Sequence, residues 1–293
     1  MDVFDFGAVM LKNLLKLIYA PAMLMGGNAL AIHWVASGRP IAQLAALLLS
    51  AMAISFLAER AAPYQDPWNR LHGDGWRDAA HAFVNESLGA AGLAMIPMLA
   101  AHVPWQSLWP ADWPLAGQWL LAVLVADAGI TLAHRASHRW HWLWRFHAVH
   151  HSVERMYGLN GLMKHPLHQM IEMTAGVLPL LLAGLPQRVA ALLAFSIALQ
   201  LLLQHSNVDM RLGRLRLLLA LAPVHRFHHR RFAGVGDVNF GLFTTIWDRL
   251  LGTAFDDPAA RFGPGDFGIG DRPDYPRSYG AQLLEPFRAA RVS

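Results

Sequence analysis

The feature that most constrains this chain is a set of apolar runs, each close to the roughly 20 residues needed to cross the hydrocarbon of a bilayer. They lie at about 14–36, 40–58, 84–103 and 115–133, and a closer pair follows at about 168–183 and 187–204. The last two are short and joined only by the breaker Gly184-Leu185-Pro186-Gln187, so a tilted or partly inserted hairpin is expected there. Hydrophobic residues fill 55% of the 293 positions and charged residues only 15%. A soluble domain carries about 25% charge. The expected fold class is therefore all-α, a multi-pass transmembrane helical bundle with four to six spanning helices.

The connections orient that bundle, because positive loops stay in the cytoplasm. Lys12 and Lys16 precede or begin the first run, and Arg60, Arg70 and Arg77 lie in the 59–78 connection. The 104–114 connection has no Lys or Arg but three Trp suited to an interface. Arg135, Arg139, Arg145, Arg155 and Lys164 follow the fourth run, and Arg211, Arg214 and Arg216 follow the hairpin. The N-terminus, 59–78 and 134–167 are thus expected on the cytoplasmic side, with Arg39 the one exception. The net charge of +4 then reflects anionic headgroups, and nucleic acid is not expected as a partner. Asp2 and Asp5 replace a basic n-region, so the first run reads as an uncleaved span. Arg outnumbers Lys 21 to 3, which suggests a GC-rich bacterial genome and hence the inner (cell) membrane. Residues 1–114 are expected to form N-terminal transmembrane helices, 115–255 the domain that carries the chemistry, and 256–293 an irregular cytosolic tail.

There is no cysteine, which excludes disulfides, thiolate-ligated iron and thiol catalysis. A metal centre must use nitrogen or oxygen ligands. Histidines number 16, and three groups of them stand out: His134 and His138 in HRASH, His147, His150 and His151 in HAVHH, and His225, His228 and His229 in HRFHH. Spacings of three and four put side chains on one helical face, a turn apart. His165 and His205 flank the hairpin at the same expected membrane face. A basic-aromatic interfacial belt would favour Trp, Tyr and Arg without demanding one-face histidine triplets. Lone His33, His72 and His102 read as solvated or capped side chains. Imidazole suits Zn, Cu, Fe and Ni, and ten candidates exceed what one zinc site needs. Neither HExxH nor the Glu and ExxH pattern of soluble di-iron bundles is present in these motifs. Helical spacing nominates Asp127, Glu172 and Asp209 as acids that accept imidazole N–H groups.

Taken in order, Asp127-x6-HRASH-x5-LWRFHAVHHS, Asn160-x4-HP, His205-Ser-Asn, AP-x-HRFHH, DVNFG and WDRLLGT resemble the fatty acid hydroxylase superfamily, which includes sterol desaturases and C-4 methyl sterol oxidases. The resemblance covers about 120–255 closely. It implies a membrane enzyme with a cytosolic, histidine-rich helical cap holding a dinuclear metal site of two iron ions. Such an enzyme would use O2 and two electrons to hydroxylate or desaturate a lipid: sterol, fatty-acyl or isoprenoid. Carried over by position, the ligands would be His134, His138, His147, His150, His151, His165, His205, His225, His228 and His229, with no catalytic side chain beyond the metal centre. His141 falls where the family has no consistent ligand, and His168 stands where an acid is more usual. The lipid would come from the bilayer and the electrons from a separate carrier, since no HPGG haem loop or GxGxxG fingerprint is evident. Two rival classes stay open at this point: a histidine-rich membrane metal transporter or binding protein, and a zinc-dependent hydrolase on the same scaffold.

Overall fold

The computed structural model describes residues 3–288 except 71, 103–107 and 233, with the side chains of 3–6 and 100 also outside the description. The end of the third expected span and Trp105 of the aromatic connection therefore lie outside the described residues. Eleven α-helices are described: α1 (Val3–Pro21), α2 (Gly27–Ala36), α3 (Gln43–Ala61), α4 (Gly75–Ala100), α5 (Leu115–Arg139), α6 (His141–His151), α7 (Pro166–Leu182), α8 (Gln187–His205), α9 (Ala222–His228), α10 (Ile246–Leu251) and α11 (Tyr279–Leu284). No strand occurs among the described residues, only isolated bridges. The chain is a helical membrane bundle. Five stretches are long and apolar enough to cross a bilayer: Gly7–Ala36, Gln43–Ala61, Gly75–Leu99, Leu115–Arg139 and Gln187–His205. α1 and α2 form one of these, joined by a π-helical stretch at Ala22–Gly26 directly after Pro21, whose missing N–H breaks the regular ladder.

The expected hairpin is present, but its arms differ. α8 is apolar on every side, and a helix of that kind belongs inside a bundle. It is enclosed by α2, α3, α4 and α5, and nearly every residue from Val189 to His205 is buried. α7, at 17 residues, is shorter and lies against α5. That contact needs small residues: a Cβ on Gly129 would sit 2.1 Å from the Ala175 carbonyl oxygen, and one on Gly176 would meet Ile130 at 2.8 Å.

The tail after residue 255 has little regular structure but is well anchored. Phe262 and Phe267 pack with Trp68, Met156 and Phe227 in a small apolar cluster. Gln65 Nε2 donates to the Phe262 carbonyl at 2.6 Å, and Gln282 Nε2 donates to Ser152 Oγ at 3.0 Å. These contacts place the tail over the ends of the helices that carry the histidines.

Candidate metal centre

α5 runs beyond the expected end of its apolar run to Arg139, so His134 and His138 occupy its last two turns. The chain then becomes extended at Trp140 and restarts as α6, which ends in HAVHH. α9 is a short helix with Pro223 in its first turn, where a missing N–H costs nothing, and it presents HRFHH. His205 is the last residue of α8.

These four helix ends bring nine imidazoles into two buried groups. His134, His138, His147, His151 and His228 form one, and His150, His205, His225 and His229 form the other. Within each group, one nitrogen per ring lies within 4.8 Å of all the others. The two HxxHH motifs are used reciprocally. The first sends His147 and His151, four apart, to the five-membered group and His150 to the other. The second sends His225 and His229 to the four-membered group and His228 to the first. Neighbouring residues on a helix point about 100° apart, so each His-His pair straddles both groups. The rings of His151 and His229 stack at 4.6 Å where the groups adjoin.

Proton accounting shows what the groups suit. His134 Nδ1 donates to the Phe240 carbonyl at 2.9 Å, His138 Nδ1 to Asp237 Oδ1 at 2.9 Å, and His228 Nδ1 to the Val238 carbonyl at 2.9 Å. His150 Nδ1 donates to the Met163 carbonyl at 2.9 Å, and His205 Nδ1 to Asn160 Oδ1 at 2.8 Å. A neutral imidazole has one N–H, so Nε2 of all five is left as a lone pair. These nitrogens nevertheless face one another. His151 Nε2 lies 3.2 Å from that of His138, 3.0 Å from that of His147 and 3.0 Å from that of His228. His229 Nε2 is 3.2 Å from His150 Nε2 and 3.1 Å from His225 Nε2. Nε2 of His134 and of His205 is buried with no hydrogen-bond partner. One proton on His151 Nε2 cannot serve the lone pairs of both His138 and His228, but a cation among them can. The donor set fits nitrogen-ligated metal ions, one in each group.

For the six histidines of HAVHH and HRFHH, burial first and neighbouring imidazoles next hold the pKa well below the ordinary value. They are neutral at pH 7, as metal ligation requires.

His165 is not brought in. It caps α7, its Nδ1 accepting from Leu167 N at 3.2 Å, while Nε2 donates to the Leu283 carbonyl at 3.2 Å and the ring packs on Phe146 and Phe287. His168 comes closer: its ring centre is 4.4 Å from that of His147. Since Ser137 Oγ already donates to the Ala133 carbonyl, the 2.9 Å contact makes His168 Nε2 the donor to Ser137. His141 is exposed.

Of the acids nominated by helical spacing, Glu172 does lie beside His168, the two forming a further small group with His147, while Asp127 and Asp209 do other work. Asp127 accepts from the backbone N–H groups of Leu242, Phe243 and Thr244 and from Thr244 Oγ1, so it anchors a loop and touches no histidine. Asp209 pairs with Lys16 at 2.6 Å. Glu172 pairs with Lys164 and lies 3.8 Å from His168 Nδ1. The groups that orient the rings come instead from two loops, through Asn160 and Met163 in one and Asp237, Val238 and Phe240 in the other. Loop residues have no fixed spacing from the helices they touch, and most of these contacts use backbone carbonyls, which carry no residue signature. The second loop is held by Asp127, by Gln200 and Gln204 of α8, which donate to the carbonyls of Gly241 and Leu242, and by Asp248, which accepts from Phe240 N and Gly241 N. Asn239 there adopts a positive φ of 55°, tolerable for Asn, and is fixed by bonds to Val224 and Phe255.

Comparison with known proteins agrees with this geometry. The family model described as fatty acid hydroxylase matches residues 119–253, a range that holds all nine converging histidines and both orienting loops. An ornithine lipid hydroxylase from Rhizobium tropici is 34% identical over 276 residues, covering 91% of this chain and 82% of the relative. An alkylglycerol monooxygenase from Caenorhabditis elegans is 28% identical over 167 residues, covering 54% of this chain and 30% of that protein. A very-long-chain aldehyde decarbonylase from Oryza sativa is 27% identical over 141 residues, 47% of this chain and 54% of its own. No solved structure matches. With the model spanning the histidine-bearing helices and a relative similar over nearly the whole length, this chain belongs to the fatty acid hydroxylase family.

Proposed function

We propose that this protein is a membrane-bound, O2-dependent di-iron oxygenase that hydroxylates or desaturates a lipid. The observation that carries the reading is the pair of adjacent histidine groups, five and four strong, whose Nε2 atoms converge, five of them as lone pairs because Nδ1 holds the proton. All-nitrogen ligation suits a redox-active first-row metal. The hydroxylase and monooxygenase names of the relatives favour iron and oxygen chemistry over transport. Transporters hold their ions near the bilayer midplane on broken helices. These rings instead gather at helix ends, beneath a capping tail.

His134, His138, His147, His151 and His228 would hold one iron, and His150, His205, His225 and His229 the other. Bound there, the metal pair would supply activation of O2 toward an unactivated C–H bond. In the overall hydroxylation one C–H bond breaks and one C–O bond forms. The second oxygen atom leaves as water, with two electrons and two protons from an external donor. The chain's own residues set the stage for this. Asp237, Asn160 and the carbonyls of Val238, Phe240 and Met163 fix five rings with Nε2 inward, so little reorganisation is needed when metal binds. Burial excludes bulk water from the metal-facing nitrogens. The positive connections favour a cytoplasmic position for this face, and the composition a bacterial inner membrane, where a separate electron carrier would reach it.

Metal analysis with an O2-uptake assay on the purified protein tests the reading. Iron near two per chain with reductant-dependent uptake supports it. A single tightly held zinc without uptake refutes it in favour of a hydrolase. The control is His150→Ala, for which uptake is expected to vanish.

A further inference from the structure

Resting on the oxygenase reading, we propose that the reducing electrons arrive from within the bilayer: the apolar cleft between α3, α4 and α8 binds an isoprenoid quinol, with Glu86 holding a ring hydroxyl beside the loop that orients the four-histidine group.

On α4, Ala79, Phe83, Glu86, Ala90 and Leu93 recur every three or four residues and so form one stripe. The stripe faces a cleft of about 540 Å³, closed by α3, α8 and the loop residues Leu159 and Leu162. From Ala79 to Leu93 the helix rises about 21 Å at 1.5 Å per residue, all of it inside the apolar span Gly75–Leu99. Apart from Glu86, every lining residue is Ala, Gly, Ile, Leu, Met or Phe. Glu86 is half-buried and makes neither a hydrogen bond nor an ion pair among the described residues. An ionisable group inside a membrane span is costly, and its presence marks a site. An acyl tail offers that carboxyl group nothing, whereas a ring hydroxyl offers a hydrogen bond. The volume falls in the range of roughly 300–1,000 Å³ that small-molecule sites occupy. It has room for a quinol ring at Glu86 with the first isoprene units along α4.

The position of the cleft favours an electron donor over a substrate. Asn85, next to Glu86, donates from Nδ2 to the carbonyls of Leu162 at 3.1 Å and Lys164 at 3.0 Å. Between those two lies Met163, whose carbonyl receives His150 Nδ1, and Asn160 of the same loop receives His205 Nδ1. One loop therefore gives Leu159 and Leu162 to the cleft and Asn160 and Met163 to the histidines. No histidine of either group lines the cleft itself. Oxygen insertion needs the reacting C–H bond in contact with the centre, but electrons can cross an intervening loop. The stoichiometry agrees. The two O–H bonds of the quinol break and it leaves as the quinone, releasing two electrons and two protons. With O2, these convert one C–H bond to C–OH and one oxygen atom to water. Glu86 accepts the hydrogen bond of one hydroxyl and is the base beside it when that O–H bond breaks.

Two readouts test this. On the purified full-length protein, without added metal, a photoreactive azido-decylubiquinone should label peptides spanning 79–93 or 159–162, and excess decylubiquinone should displace it. In Glu86→Leu and in Gly89→Leu, half-maximal labelling should need about tenfold more probe. Gly89→Leu fills the cleft without a clash, since a Cβ there meets nothing within 4 Å. Gly92→Leu, equally open but outside the walls, is the control and should label as the native chain does. Label that is absent, not displaced, or unaffected by both cleft variants overturns the proposal. In the second readout the iron-loaded protein, in nanodiscs of total polar lipid from the cells that produce it, should take up O2 with decylubiquinol as reductant. Gly89→Leu should raise the quinol KM about tenfold with kcat nearly unchanged. An equal loss of dithionite-driven uptake would mean that the cleft holds the lipid substrate, and the proposal fails. Uptake with dithionite but none with decylubiquinol removes the quinol alone, whereas no uptake with either reductant brings down the oxygenase reading itself.

Discussion

Asp127→Asn tests the reasoning most sharply, because it changes one oxygen to an NH2 group without altering shape. In the native chain the carboxylate receives four hydrogen bonds: from Leu242 N at 3.1 Å, Phe243 N at 2.8 Å, Thr244 N at 3.1 Å and Thr244 Oγ1 at 2.7 Å. Asparagine offers one carbonyl oxygen, so about two donors are left unmatched and face another donor. A buried unsatisfied group costs about 1–3 kcal/mol, so about 2–6 kcal/mol is lost locally. Gln200 and Gln204 still hold Gly241 and Leu242, so the helices should remain in place. The damage should travel two residues along the loop to Phe240, whose carbonyl receives His134 Nδ1 at 2.9 Å. Loss of such an orienting partner typically costs about 10–100-fold in metal affinity. The assay is metal retention against a graded chelator, beside thermal unfolding in detergent. Asp209→Asn, which breaks only the Lys16 pair, should leave metal retention unchanged. An Asp127→Asn protein with native retention and an unshifted transition would refute the argument.

His205→Ala should empty the four-histidine group first, lowering bound metal from about two to about one per chain, whereas His165→Ala should retain both; elemental analysis reads the difference. Gly161→Ala would place a Cβ 2.1 Å from the Leu201 carbonyl oxygen, so poor folding and a lowered melting temperature are expected, while Gly75→Ala, with nothing within 4 Å, should be neutral. The metal-free protein should lose stability on acidification. The six histidines of HAVHH and HRFHH have folded pKa values below the unfolded value near 6.5, so the unfolded chain takes up more protons. Stability is full above that value and falls below it by up to about 1.4 kcal/mol per pH unit per histidine. Thermal unfolding from pH 7.5 to about 5.5 checks this, and a flat profile would contradict the burial argument.

Much of this protein could be read from its sequence, for two physical reasons. Hydrocarbon demands long apolar runs, so the spans appear directly in composition. Helical periodicity forces residues three and four apart onto one face, so the three histidine motifs announce themselves. Only the tertiary structure decided how those motifs divide. The exchange of His150 and His228 between groups depends on how α6 and α9 oppose each other, a relation between residues 78 apart. It also separated His165, whose nitrogens serve α7 and the tail, from His205, whose Nε2 faces inward. The orienting partners were the least legible part. Helical spacing pointed to Asp127, Glu172 and Asp209, yet the bonds are made by Asn160, Asp237 and three backbone carbonyls. A side chain's partner along a helix follows from local geometry; a partner on a distant loop follows only from where folding brings that loop.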